Sequence, residues 1–177
     1  MDYNLLSEKV QLEAVKKSGS LIEYIKNPSE KVQLEAIKED AHSIQYIENP
    51  SEKVQLEAVK QDGRSIQFIK NPSEKVQMEA VKQNGYSIRF IKNASKDIQL
   101  EAIKRDCSAI QFIKEPSESL IFLALEKDPR YIEYIKTPSE KMMKLVIQKN
   151  WRVIKFIENP SEEIKELAEI HKSLSEE

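Results

Sequence analysis

One cysteine, one tryptophan, two histidines and three glycines are all that 177 residues hold of these types, and each scarcity closes off a class of function. Lone Cys107 cannot form an intrachain disulfide, which points to a reducing, cytoplasmic setting. Its place at a helix start reads as a small packing residue. His42 and His171 stand nearly a chain length apart, each without a companion at metal-ligand spacing, so no metal site is expected. Three glycines supply no phosphate-cradling loop. The longest apolar run, "LIFLAL" at 120 to 125, is far shorter than the roughly 20 residues a membrane span needs. The opening "MDYNLLSEKVQLEA" lacks the basic and apolar regions of a secretory leader. A net charge of −2 creates no global pull toward nucleic acid or membrane. No catalytic or cofactor-binding constellation stands out, so the expectation is a protein that is not an enzyme.

What the chain has in abundance is repetition. Aligned on Ser7, Ser29, Ser51, Ser73, Ser95, Ser117, Ser139 and Ser161, it steps by 22 residues without an insertion. A fixed period of this size marks a repeat array. Repeats run over 7–28, 29–50, 51–72, 73–94, 95–116, 117–138 and 139–160, with a cap over 161–177, expected as a single domain spanning 1–177. Positions below are numbered 1 to 22 from each serine.

The joint between repeats usually reads Asn-Pro-Ser-Glu. It suggests asparagine as N-cap, proline as first helical residue and glutamate three residues on, opening a helix of about 12 residues. Position 12 is Ser18, Asp40, Asp62, Asn84, Asp106, Asp128 and Asn150, all good caps for a second helix of about eight residues. The expected architecture is therefore all-α, a right-handed α-solenoid of two-helix repeats.

Helical phasing assigns positions 4, 8, 9 and 6 of the first helix to the core, as in Val54, Ala58, Val59 and Leu56. The second helix buries positions 16 and 19, with an aromatic at 18 (Tyr24, Tyr46, Phe68, Phe90, Phe112, Tyr134, Phe156) expected to join them. Position 5 carries glutamine in the first five repeats, amid the apolar arc. Those amides either line a groove or satisfy one another and neighbouring carbonyls inside the stack.

The repeated words "VQLEAVKQDGRSIQFI" and "VQMEAVKQNGYSIRFI" resemble the tandem α-helical repeats of domain-of-unknown-function family 4116, from bacterial and viral proteins. The likeness runs over about residues 7 to 160, strongest in the first five repeats, while the Asn-Pro-Ser-Glu joint departs from it. The resemblance implies a helical solenoid and a bacterial or phage source, with no catalytic residues to carry over. A phage source would fit an inhibitor that masks a partner protein.

Among near-identical repeats, the positions that differ are the informative ones. Positions 14, 17 and 20 share the outward face of the second helix and hold ten basic against four acidic residues. The candidate partner-binding ridge is His42, Arg64, Gln67, Lys70, Tyr86, Arg89, Lys92, Lys114, Arg130, Lys136, Arg152 and Lys155. Such a ridge suits an acidic protein surface, or alternatively a phosphate backbone, or it is merely a solvated face. A protein partner is the first expectation, a nucleic-acid-binding solenoid the alternative.

Toward the C-terminus, position 7 changes from glutamate to Leu123, Leu145 and Leu167. Either these helices roll by one residue, or the leucines form an apolar interface with a partner or a second copy. In the cap, Ile164, Leu167, Ala168, His171 and Leu174 fall on one stripe, with His171 read as a half-buried cap residue.

Overall fold

The computed structural model describes residues 7–176, and every regular element among them is helical. Eight α-helices alternate with seven six-residue 3₁₀ helices. The chain divides into two compact units, one ending at Arg105 and the other beginning at Asp106. The first unit contains α1 (Glu8–Lys17), α2 (Glu30–Glu39), α3 (Glu52–Gln61), α4 (Glu74–Gln83) and α5 (Lys96–Arg105). Its 3₁₀ helices are Gly19–Tyr24, Ala41–Tyr46, Gly63–Phe68 and Gly85–Phe90. The second unit contains α6 (Glu118–Lys127), α7 (Glu140–Lys149) and α8 (Glu162–Glu176), with 3₁₀ helices Cys107–Phe112, Pro129–Tyr134 and Trp151–Phe156. Consecutive α-helices pack together within each unit, which makes this a helical-repeat solenoid.

The joints differ from the sequence reading in an instructive way. Serine, not asparagine, is the N-cap: Ser29, Ser51 and Ser73 each accept a bond from the backbone N–H three residues on at 3.4 Å, and glutamate is the first helical residue. Asn27, Asn49, Asn71, Asn93 and Asn159 instead take φ of 51° to 55°, the left-handed conformation that asparagine tolerates better than other side chains. Helices α1 to α7 span ten residues rather than twelve. The second helices are tightly wound 3₁₀ turns rather than α-helices of eight residues, with i→i+3 bonds such as Ser65 N to Asp62 O at 2.9 Å and Ile69 N to Ile66 O at 3.0 Å. Between two caps only six residues are available, and a 3₁₀ helix makes more turns from six residues than an α-helix does.

Displacement of the cap frees the glutamate for another task. Ser29 Oγ donates to Glu8 of the preceding repeat at 2.5 Å, Ser51 to Glu30 at 2.8 Å and Ser73 to Glu52 at 2.6 Å. Each rung ties the start of one α-helix to the start of the next. Lys53 closes on Glu30 at 2.9 Å, and with the Ser51 bond it holds that carboxyl below its usual range.

Position-5 glutamines combine both expected roles, since Gln55 and Gln77 border surface grooves while their amides bond backbone carbonyls rather than one another. Gln33, Gln55 and Gln77 are half-buried and donate to the carbonyls of Pro28, Pro50 and Pro72 at 2.8 to 2.9 Å, locking each joint onto the helix it opens.

Core assignments hold at positions 4, 8, 9, 16 and 19 in most repeats. Val10 at the first position 4 is 39% exposed, however, and position 6, also assigned to the core, is only half-buried, as at Leu56. Val54, Ala58 and Val59 are 0% exposed, and Ile66 and Ile69 are buried beside them. Each such valine or isoleucine contributes about 1.5–3 kcal/mol on burial, and Ala58 less. Position 18 is different. Phe68 and Phe90 are half-buried against the core, but Tyr24, Tyr46 and Tyr134 are exposed. The tighter 3₁₀ winding turns position 18 toward the edge, where a tyrosine hydroxyl can reach water.

Position 15 is a core position that amphipathic phasing overlooked. Ser43, Ser65 and Ser87 are 0% exposed, and none of their hydroxyls finds a hydrogen-bond partner. Ser43 and Ser87 pack against the position-13 glycines of the preceding repeats, Gly19 and Gly63. A Cβ added to Gly63 would lie 2.8 Å from Ser87 Oγ and would collide with the Ala80 carbonyl oxygen. Close approach of two backbones, not a positive φ, is what glycine provides there.

Candidate functional site

The variable side chains are aimed by an invariant frame. At the start of each 3₁₀ helix from the second repeat on, the position-12 side chain accepts from the N–H of position 14. The bonds are Asp40–His42 at 2.8 Å, Asp62–Arg64 at 2.9 Å, Asn84–Tyr86 at 3.0 Å, Asp106–Ser108 at 2.9 Å, Asp128–Arg130 at 2.9 Å and Asn150–Arg152 at 3.1 Å. This Asx turn brings the cap's oxygens beside the base of the position-14 side chain.

When position 14 is arginine and the cap aspartate, the side chain folds back onto its own cap. Arg64 Nε and Nη2 meet Asp62 at 3.1 and 2.8 Å, and Arg130 meets Asp128 at 3.0 and 2.6 Å. The arginine hydrogen bond is the main reason both aspartates lie below the usual carboxylate range, with partial burial opposing it. Both guanidinium groups are correspondingly held more firmly protonated. Asp62 also faces His42 Nε2 at 3.7 Å, and the imidazole meets Phe68 edge-on with ring centroids 5.6 Å apart.

These caps change the charge of the ridge. With Asp40 and Asp62 counted, the first unit's face carries five basic and four acidic side chains. With Asp106 and Asp128 counted, the second unit's face likewise carries five and four. The surplus seen along positions 14, 17 and 20 is thus almost cancelled by position 12. Sequence reading assigned the aspartates to capping and left their charge out. The i, i+2 spacing of Asp and Arg around a cap was the signal that could have revealed it.

Individual ridge residues sit as follows. Gln67, Lys70, Arg89, Lys92, Lys114, Lys136 and Lys155 are exposed, while His42 and Tyr86 are half-buried. Arg89 donates to the Tyr86 hydroxyl at 3.0 Å and lies over the Tyr86 and Phe90 rings at 5.1 and 5.2 Å, making one compact cluster. In the second unit Arg152 lies 4.7 Å over the Trp151 ring and Lys155 4.9 Å over Phe156.

Of the three C-terminal leucines, Leu145 and Leu167 are half-buried against the second unit's core, and Leu123 is half-buried on α6. Phe122, Leu145 and the aliphatic part of Lys141 border a shallow groove of about 550 Å³, with Lys141 Nζ 4.8 Å over the Phe122 ring. Lys144, which takes the usual leucine's place at position 6, pairs with Glu140 at 3.5 Å and Glu163 at 2.5 Å. In the cap, Ile164 and Ala168 are buried and His171 is half-buried, whereas Leu174 is 64% exposed. Among the described residues no three His, Cys, Asp or Glu side chains gather as metal ligands would, and no helix is long and apolar enough to cross a membrane.

Fold and frame together define a helical-repeat protein whose α/3₁₀ units present varied side chains from a constant backbone. Residues 73–116 match the family model described as Domain of unknown function (DUF4116), the family that the repeated words resemble. The matched segment is two repeats long and includes Asn93–Ala94, the one joint without proline. No curated protein and no solved structure gave a match.

Proposed function

We propose that this chain is a non-enzymatic protein-binding scaffold that recognises its partner through the variable face of its 3₁₀ helices. The observation that carries the reading is the clamping of Arg64 and Arg130 by Asp62 and Asp128. A phosphate track draws its affinity from counterion release by a strongly net-cationic surface. Here basic and acidic groups nearly balance on the face of either unit, which suits side-chain-by-side-chain recognition of a mixed protein surface. The Tyr86–Arg89–Phe90 cluster supplies the residue types that dominate protein interfaces.

Fluorescence polarisation with labelled single- and double-stranded oligonucleotides should show no binding at physiological salt. Binding that persists there would overturn the reading in favour of nucleic acid. Cross-linking capture should then yield a protein that is lost with a Tyr86→Ala, Arg89→Ala, Lys92→Ala variant of unchanged helicity and melting temperature. Capture indifferent to that variant would remove this face from the interface.

A further inference from the structure

The third arginine at position 14 stands in a different setting from the other two. Arg64 and Arg130 are each preceded at position 12 by an aspartate, whose two oxygens take the guanidinium. Arg152 is preceded by Asn150, whose side chain still accepts from the Arg152 N–H at 3.1 Å but has no negative charge to offer. The guanidinium has turned instead onto Trp151, 4.7 Å from the ring centroid.

That ring forms part of a pocket of about 350 Å³ between the end of α7 and the last turns of α8, lined by Lys149, Trp151, Arg152, His171, Leu174 and Ser175. The indole N–H donates to Ser175 Oγ at 3.2 Å, which fixes the ring. Lys172 brings a second cation to 5.9 Å from the same ring, and its own carboxylate contact, Glu169, is an exposed 3.5 Å pair within α8. None of the residues lining the pocket is acidic. Leu174, 64% exposed, adds an apolar wall.

We infer that this pocket is a receptor for a carboxylate of a protein partner, an aspartate or glutamate side chain next to an apolar residue. Arg152 takes the two oxygens as Arg64 and Arg130 take those of their own caps, Lys172 adds charge, and Trp151 with Leu174 receives the apolar neighbour. The chain itself provides the template: twice it satisfies a position-14 guanidinium with a carboxylate in bidentate geometry, which is the strong and orientation-specific arrangement for this pair. The inference rests on the protein-binding reading for the source of the carboxylate.

Trp151 is the single tryptophan, so its emission reports on this pocket alone. An acetylated and amidated Leu-Glu-Glu-Leu peptide is titrated against the full chain, with Leu-Gln-Gln-Leu and inorganic phosphate as comparisons. A saturable emission change with the acidic peptide alone is expected. Arg152→Gln should weaken it by about tenfold or more. The decisive variant is Asn150→Asp, which keeps a good N-cap and retains Arg152 but gives the guanidinium an internal partner; it should abolish the response while leaving the melting temperature unchanged. No saturable change, or a change that survives Asn150→Asp, would overturn the site. A response to phosphate but not to the acidic peptide would overturn the carboxylate assignment. Failure here is separable from failure of the scaffold reading, whose test variant lies at Tyr86, Arg89 and Lys92 in the other unit.

Discussion

Replacing Ser65 by alanine should make the protein more stable. The side chain is 0% exposed and its hydroxyl has no hydrogen-bond partner. A hydroxyl buried in that way costs about 1–3 kcal/mol relative to its hydrated state in the unfolded chain. Removing the oxygen forfeits a few dispersion contacts of about 0.1–0.2 kcal/mol each and leaves a gap too small for water. The protein already demonstrates the replacement: Ala109 occupies the same position in the fifth repeat and is likewise 0% exposed. A net gain of about 0.5–2 kcal/mol follows, about 1–8 °C in melting temperature for a chain of this size. Ser43 and Ser87 share the setting, so each single variant should gain a similar amount. Urea unfolding followed by circular dichroism, with the slope unchanged and the midpoint raised, is the assay. A lower midpoint for any of the single variants would refute the reasoning, because it would mean that the hydroxyl makes a bond worth more than its burial costs.

Three more outcomes are expected. The Asp62 carboxyl lies below its ordinary value because of Arg64, so the pair's small contribution is complete above the unfolded value of about 3.9 and is lost as the pH falls through the lower folded one; carboxyl NMR titration should show this depression, and Arg64→Gln should raise the midpoint. Asn71→Gly should be nearly neutral and Asn71→Ala destabilising by about 1 kcal/mol, since φ there is 53°; equal melting temperatures for the two would contradict a left-handed joint. Gln55→Ala should cost about 1 kcal/mol through loss of the 2.8 Å bond to the Pro50 carbonyl, measured by urea unfolding, and an unchanged midpoint would show that bond to be dispensable.

Period, helical class and most of the core were legible because they follow from side-chain polarity at fixed spacing. The first-helix core at Val54, Ala58 and Val59 appears where a 3.6-residue phase puts it. Phasing failed where the winding changed. In a 3₁₀ turn the buried stripe runs differently, so Ser65 went inside and Tyr46 toward the edge. The joint was misread by two residues because Asn-Pro and Ser-Glu are both plausible openings of a helix, and only the backbone decides between them. At the ridge, the pairing of the side chains was not legible. Arg64 and Asp62 are two residues apart, a spacing that puts them on different faces of a regular helix yet brings them together across a cap.

The serine-to-glutamate rungs also bear on how such a chain can lengthen or shorten. Because Ser51 meets Glu30 in the way that Ser73 meets Glu52, a gene lacking residues 51–72 would present Ser73 to Glu30 with the same neighbours on either side. The repeat boundary is therefore a joint at which a whole cassette and its position-14 residue can be removed or added with the same rung re-formed.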